Sequence, residues 1–194
     1  MRGKRMFVAI DPSAEAVARA TRIAGRLQAE GVEAAWVRPA EMHLTLHFLG
    51  DDVDDSDLHR LCLALDEAAA VTPAFRITLR GLGVFPDSRR PRVVWLGVEQ
   101  GRGELVALHD ALARQLTPLG FPPEARGFQP HLTLGRFRSG GTGPPAPALA
   151  AAIERCGASA ASEMLVRKVV LYESRLTKAG AEHDRLHAAA LAGP

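Results

Sequence analysis

The chain is short of cysteine, short of lysine, and without any long hydrophobic run, and each shortage excludes something. Of its 194 residues only two are cysteines. Cys62 and Cys156 form no Cys-x-x-Cys pair and no Cys/His cluster, which excludes a disulfide framework and a structural zinc finger and suits a reducing, cytoplasmic setting. No apolar run approaches the roughly 20 residues of a membrane span. The start, Met1-Arg2-Gly3-Lys4-Arg5, is basic, but the apolar run behind it, Met6 to Ile10, is too short for a secretory leader. Charge of one sign is not in excess either: the net value of +2 excludes an architectural nucleic-acid binder. Lys4, Lys168 and Lys178 are the only lysines among 24 cations. Arginine supplies the rest, and its planar fork is the better shape for gripping a phosphate. No Ser or Cys stands in a nucleophile elbow, and neither a GxGxxG nor a Walker pattern occurs.

What is present is a foldable interior. Apolar residues make up 47% of the chain, enough to exclude general disorder. The length suits one domain, or two small lobes sharing a core. Met6 to Ile10 reads as a strand, Ser13 as the N-cap of a helix running to about Glu30, and Gly31 as its stop. A strand from His43 to Leu49 closes at Gly50-Asp51, and residues 54–70 have helical periodicity. Strands are expected at 75–79 and 93–98, a helix at about 103–117, a strand from His131 and a short helix near 147–156. Further strands are expected around 163–173 and 184–190. The Gly/Pro-rich stretch 139–147 reads as a loop, and sequence alone leaves open whether it closes over a ligand. Strand, helix, strand, helix, strand thus occurs once before residue 90 and again after it. The expected class is a duplicated α+β fold with a cleft between two pseudo-symmetric lobes.

The repeat carries the chemistry. His-Leu-Thr-Leu stands at 43–46 and again at 131–134, a double match with chance odds on the order of 1 in 100,000. Side chains alternate along a strand, so His43 and Thr45 share one face, as do His131 and Thr133. The four leucines point the other way. A packed core has no need of a paired imidazole and hydroxyl. Zinc would want a third ligand at short spacing. The nearest candidate, His47, stands on the His43 face but about 13 Å along an extended strand. Two imidazoles with ordinary pKa values near 6.5 suit concerted acid–base work. Flanking hydroxyls suit the non-bridging oxygens of a phosphodiester. Arg89, Arg90 and Arg92 before the Trp95 strand, with Arg126, Arg136 and Arg138 around the second motif, are candidate phosphate contacts.

The doubled His-x-Thr-x motif resembles the 2H phosphoesterase superfamily. The flanking sequence is similar to its RNA 2',3'-cyclic phosphodiesterase branch, also called 2'-5' RNA ligases. The matching pieces are Met6 to Ile10, Trp36-Val37-Arg38-Pro39, Phe48-Leu49-Gly50, Gly83-Val84-Phe85-Pro86, Arg92 to Gly97, and Pro130 with Arg136 around the second motif. Two positions depart from the family pattern. His47 stands where Arg or Lys is usual, and Gly180-Ala181-Glu182-His183 stands where Gly-x-x-Tyr is frequent.

The resemblance implies two antiparallel sheets facing a central cleft with helices outside, all in one domain over 1–194. It implies hydrolysis of RNA 2',3'-cyclic phosphate ends to 2'-phosphomonoesters, with neither metal nor cofactor. Carried over, His43 is the proton donor and His131 the proton acceptor, and Thr45 and Thr133 hold phosphate oxygens. Substrate contacts are expected from Arg136, His47, Arg89 and Arg90, with Phe7 as a stacking surface for a base. Strict alternation, however, sets Arg136 on the face opposite His131. The implied partners are RNA ends, among them tRNA halves, or nucleotides, bound by a monomer away from any membrane. Ligation of tRNA halves, the reverse of the same step, stays open, as does another cyclic nucleotide such as ADP-ribose 1'',2''-cyclic phosphate.

Overall fold

The computed structural model describes residues 3–137, 146–157, 162–177 and 180–193. The first strand, β1 (Lys4–Ile10), is buried along its apolar stretch and ends at Asp11-Pro12, where proline removes a ladder donor. The Ser13 hydroxyl then accepts from the Ala16 N–H at 3.1 Å and opens α1 (Ala14–Ala29). This satisfies one of the orphan donors at the helix start. A two-residue strand β2 (Ala35–Trp36) precedes β3 (Leu44–Val53), α2 (Leu58–Ala70) and β4 (Phe75–Phe85). The second series runs β5 (Val93–Gln100), α3 (Arg102–Leu116), β6 (His131–Arg136) and α4 (Ala146–Gly157). It closes with β7 (Ser162–Val166), β8 (Lys168–Thr177) and β9 (Gly180–Ala190).

Several strands outrun the expectation. β3 continues past Gly50 to Val53, and β4 continues from Leu79 to Phe85. The single strand expected around 163–173 is two, broken at Arg167, and they belong to different sheets. The expected loop at 139–147 falls, up to residue 145, outside the described residues, as does Arg138. Among the described residues no helix is long and apolar enough to cross a membrane.

Both sheets are antiparallel, in the orders β3-β1-β8-β9 and β2-β6-β5-β4-β7. Apart from the added β2, the two orders match strand for strand: β3 with β6, β1 with β5, β8 with β4. The sheets are nevertheless not the two halves of the sequence. β4 leaves the first half to pair with β5, and β8 leaves the second to pair with β1. The helices cross likewise. α1 follows β1 yet packs on β6 and β7 beside α4, whereas α3 follows β5 yet packs on β3 beside α2. Swapped strands and helices tie both sheets into one continuous apolar cluster, from Met6 and Leu44 to Leu96 and Leu132. The four motif leucines, 44, 46, 132 and 134, are all buried in it. Each such burial is worth about 1.5–3 kcal/mol. The side chains between them are therefore held on the opposite, cleft face.

Candidate active site

His43 and His131 are set in the same way. Each imidazole places Nδ1 2.8 Å from the backbone carbonyl two residues upstream, Glu41 O for His43 and Gln129 O for His131. A carbonyl only accepts, so Nδ1 carries the proton in both rings. That leaves Nε2 as the nitrogen free for proton transfer. Thr45 and Thr133 lie two residues on, each half-buried on the same face as its histidine.

Aromatic packing fixes both rings. The His43 ring lies 4.7 Å from Phe7 and 5.0 Å from His183, with Tyr172 behind Phe7. The His131 ring meets Phe85 edge-on at 5.0 Å and Trp95 at 6.1 Å. Trp95 in turn needs Gly83: a β-carbon there would come within 2.2 Å of the indole. Phe7 is only 5% exposed, which corrects its expected role. It props His43 from below and has no open face on which a base could stack.

After each motif the strand bulges. Along β3, Thr45 pairs with Ala9 but His47 with Val8, leaving Leu46 as the extra residue. Along β6, Thr133 pairs with Trp95 but Gly135 with Val94, leaving Leu134 extra. An extra residue reverses the alternation beyond it. His47, expected on the same face as His43, is therefore turned into the core. It is 2% exposed, and its Nε2 lies 3.0 Å from Phe121 O. The same reversal brings Phe48 and Arg136 to the cleft side. Phe48 joins the small apolar cluster of Phe7, Ala9, Val170 and Tyr172, with the Arg5 guanidinium 4.5 Å above its ring. Arg136 comes close enough for its charge to be felt at His43, His131 and His183.

These surroundings disfavour protonated imidazole in the free site. Burial, with the neighbouring His183 and then the charge of Arg136 adding to it, pushes His43 down to about 4. His131 is lowered from the usual histidine range by burial and then by the charge of Arg136, and His183 by burial and then by the charges of Arg5 and Arg136.

On the His43 side lies a cavity of ≈210 Å³, walled by Asp11, Glu41, His43, Tyr172, His183 and Arg185 among others. The Tyr172 hydroxyl donates to Asp11, and burial followed by this bond pushes the phenol up to about 12. Of the other expected contacts, Arg89 and Arg90 are exposed in the 86–92 turn, where Asp87 Oδ1 accepts from both backbone N–H groups. That turn leads into Val93, which pairs with Arg136 at the rim of the cleft. Sequence reasoning missed Asp11, Phe85, Tyr172, His183 and Arg185 as neighbours of the pair. His183 alone had left a signal, as the departure from Gly-x-x-Tyr.

A family model described as the 2'-5' RNA ligase superfamily matches residues 10–178. An "RNA 2',3'-cyclic phosphodiesterase" of Aeropyrum pernix is 36% identical over 171 residues, covering 88% of this chain and 94% of that one. One of the same name from Methanothermobacter thermautotrophicus is 35% identical over 177 residues, covering 91% and 92%. The crystal structure of E. coli LigT in apo form superposes with a TM-score of 0.75 at 28% identity, covering 99% of each chain. LigT has also been solved in complex with 3'-AMP. With its doubled motif in matched settings and relatives aligned over nearly their full length, the chain belongs to the 2'-5' RNA ligase superfamily.

Proposed function

We propose that this chain is a cyclic phosphodiesterase that opens RNA 2',3'-cyclic phosphate ends to 2'-phosphomonoesters. The observation that carries the reading is the matched pair of carbonyl-tethered imidazoles, each offering Nε2 beside a threonine hydroxyl. The names of its full-length relatives point the same way.

In this mechanism water is the nucleophile. His131 Nε2 takes its proton as the oxygen attacks phosphorus, and the P–O3' bond breaks. His43 Nε2–H gives its proton to O3', so the product is a 3'-hydroxyl beside a 2'-phosphate. Thr45 and Thr133 donate to the non-bridging oxygens, and Arg136 offsets their developing charge. His43 takes up its proton from solvent as the substrate binds. In the free site that imidazole is neutral at pH 7, and a phosphodiester anion seated beside it favours the charged form. Ligation through a 2'-5' bond would use the same two imidazoles in reverse.

The test is the product of a nucleoside 2',3'-cyclic phosphate, read by phosphorus NMR. A 2'-phosphate is expected. A 3'-phosphate would reverse the acid and base roles, and no turnover would overturn the reading. Proton transfer and charge stabilisation both come from side chains, so activity is expected to survive EDTA. Loss on chelation, restored by one particular metal, would sink the two-histidine mechanism.

A further inference from the structure

The cavity beside His43 holds a charge arrangement that proton transfer does not use. Tyr172 and Arg185 face each other across β8 and β9. Arg185 Nε donates to the Tyr172 hydroxyl at 3.1 Å, and one of its terminal nitrogens lies 3.0 Å from Asp11 Oδ2. Lys168 Nζ lies 3.5 Å from the same carboxylate oxygen. The other acid in the wall, Glu41, is paired with Arg38. Each acid of the wall is thus offset by a cation, Asp11 by Arg185 and Lys168 and Glu41 by Arg38, which also lies within reach of the Glu182 charge.

The guanidinium is held by two protein contacts and lines the cavity while staying largely exposed. Its Nε and one terminal nitrogen are engaged, yet its side chain is 61% exposed. A fork held in this way has remaining N–H donors aimed by its own protein contacts, so less freedom is lost when an anion binds. The occupant follows from position. The cavity shares His43 with the reaction centre, so what fills it belongs to the molecule being cut. A strand that ends in a cyclic phosphate carries its next negative charge one nucleotide upstream.

We infer that the Asp11–Tyr172–Arg185 cavity is a second phosphate subsite, taking the phosphate on the 5' oxygen of the terminal nucleotide. The inference rests on the cyclic phosphodiesterase reading and narrows its substrate class to phosphate-bearing ends over bare nucleoside cyclic phosphates. Tyr172 and Asp11 act here as positioning residues for Arg185.

The experiment compares three substrates with the full chain: a nucleoside 2',3'-cyclic phosphate, its 5'-phosphorylated form, and a dinucleotide ending in the same cyclic phosphate. The wild type is expected to favour the two phosphate-bearing substrates by about tenfold or more in kcat/KM, as a charge-assisted bidentate contact allows. Arg185→Gln should remove most of that preference, chiefly through KM, and lower the salt slope of dinucleotide binding by about 0.7. Arg185→Lys keeps the charge and loses the fork, so it should retain part of the preference. It also serves as the readout if Arg185→Gln fails to fold. A preference confined to the dinucleotide and lost in the variant assigns an internucleotide diester, and one shared by both assigns any 5'-phosphate. No preference in the wild type, an unchanged preference in both variants, or an equal loss on all three substrates overturns the subsite. Failure of the wild type on every substrate counts against the phosphodiesterase reading instead.

Discussion

β3 and β6 present the same His-Leu-Thr-Leu, the same carbonyl tether on Nδ1 and the same bulge at the second leucine, but their surroundings differ. His43 is enclosed by Phe7, Tyr172 and His183 and opens on a walled cavity. His131 is backed by Phe85 and Trp95 and has Arg136 five residues along its own strand. Beyond the bulge, the core position holds His47 in one strand and Gly135 in the other, and the cleft position holds Phe48 and Arg136. Duplication supplies two equivalent imidazoles. What lies on the neighbouring strands makes their settings unequal, as the proposed acid and base roles require.

The largest effect is expected from removing one imidazole at a time. His43→Ala and His131→Ala should each cut kcat by about 10²–10⁴-fold on a 2',3'-cyclic nucleotide. The double variant should be little worse than either, because the two act as a unit. If either single variant keeps near-normal turnover, the pair is not the proton-transfer machinery.

The pH profile sharpens the inequality. A lowered pKa means that the proton is lost at lower pH. The bell of kcat/KM, which reports the free protein, should therefore have its alkaline limb below the ordinary histidine value of about 6.5. The alkaline limb of kcat should lie higher, since bound phosphate raises the acid's pKa. Proton-detected titration of the free protein should show His43 titrating near 4. A His43 that titrates at or above His131 would invert the ordering.

The hydroxyls come next in size. Thr45→Ala and Thr133→Ala should each lower kcat by about 10–10²-fold, less than loss of a histidine, since a neutral donor carries only part of the charge stabilisation. Equal losses would mean that the phosphate sits symmetrically between the sheets, whereas a larger loss on one strand would show which non-bridging oxygen gains more charge.

The smallest effect on turnover is expected at His47. His47→Ala removes a buried ring and its bond to Phe121 O. It should lower stability by about 1–3 kcal/mol, as loss of a buried hydrogen-bonded group does, while kcat of the folded fraction stays within about twofold. Thermal unfolding and steady-state kinetics on one preparation separate the two. A large fall in kcat would return His47 to the cleft.

Much of this molecule is legible in one dimension. The caps, the helices and most strands follow from local patterns, and the doubled motif marks the site because two imidazole–hydroxyl pairs at strand spacing have no packing purpose. Along the two motif strands, sequence reasoning failed at the bulges. Alternation carried past Leu46 and Leu134 sets His47 in the cleft and Arg136 outside it, and the reverse holds. A bulge is a property of a pair of strands: it arises where β3 meets β1 and β6 meets β5, and neither strand records it alone.

The two imidazole–hydroxyl pairs and the buried face behind them are written in the sequence, since each depends on residues a few positions apart, and the family is written in short pieces spread from Met6 to Arg136. Tertiary structure alone decided which halves exchange β4 and β8, which side chains reach the cleft after each bulge, and how far each imidazole is pushed from its ordinary pKa. Those outcomes depend on pairing and burial between Phe7, Tyr172, His183 and His43, residues up to 176 positions apart in the 194-residue chain. Desolvation and cross-strand register act through distance in space, which no local pattern encodes.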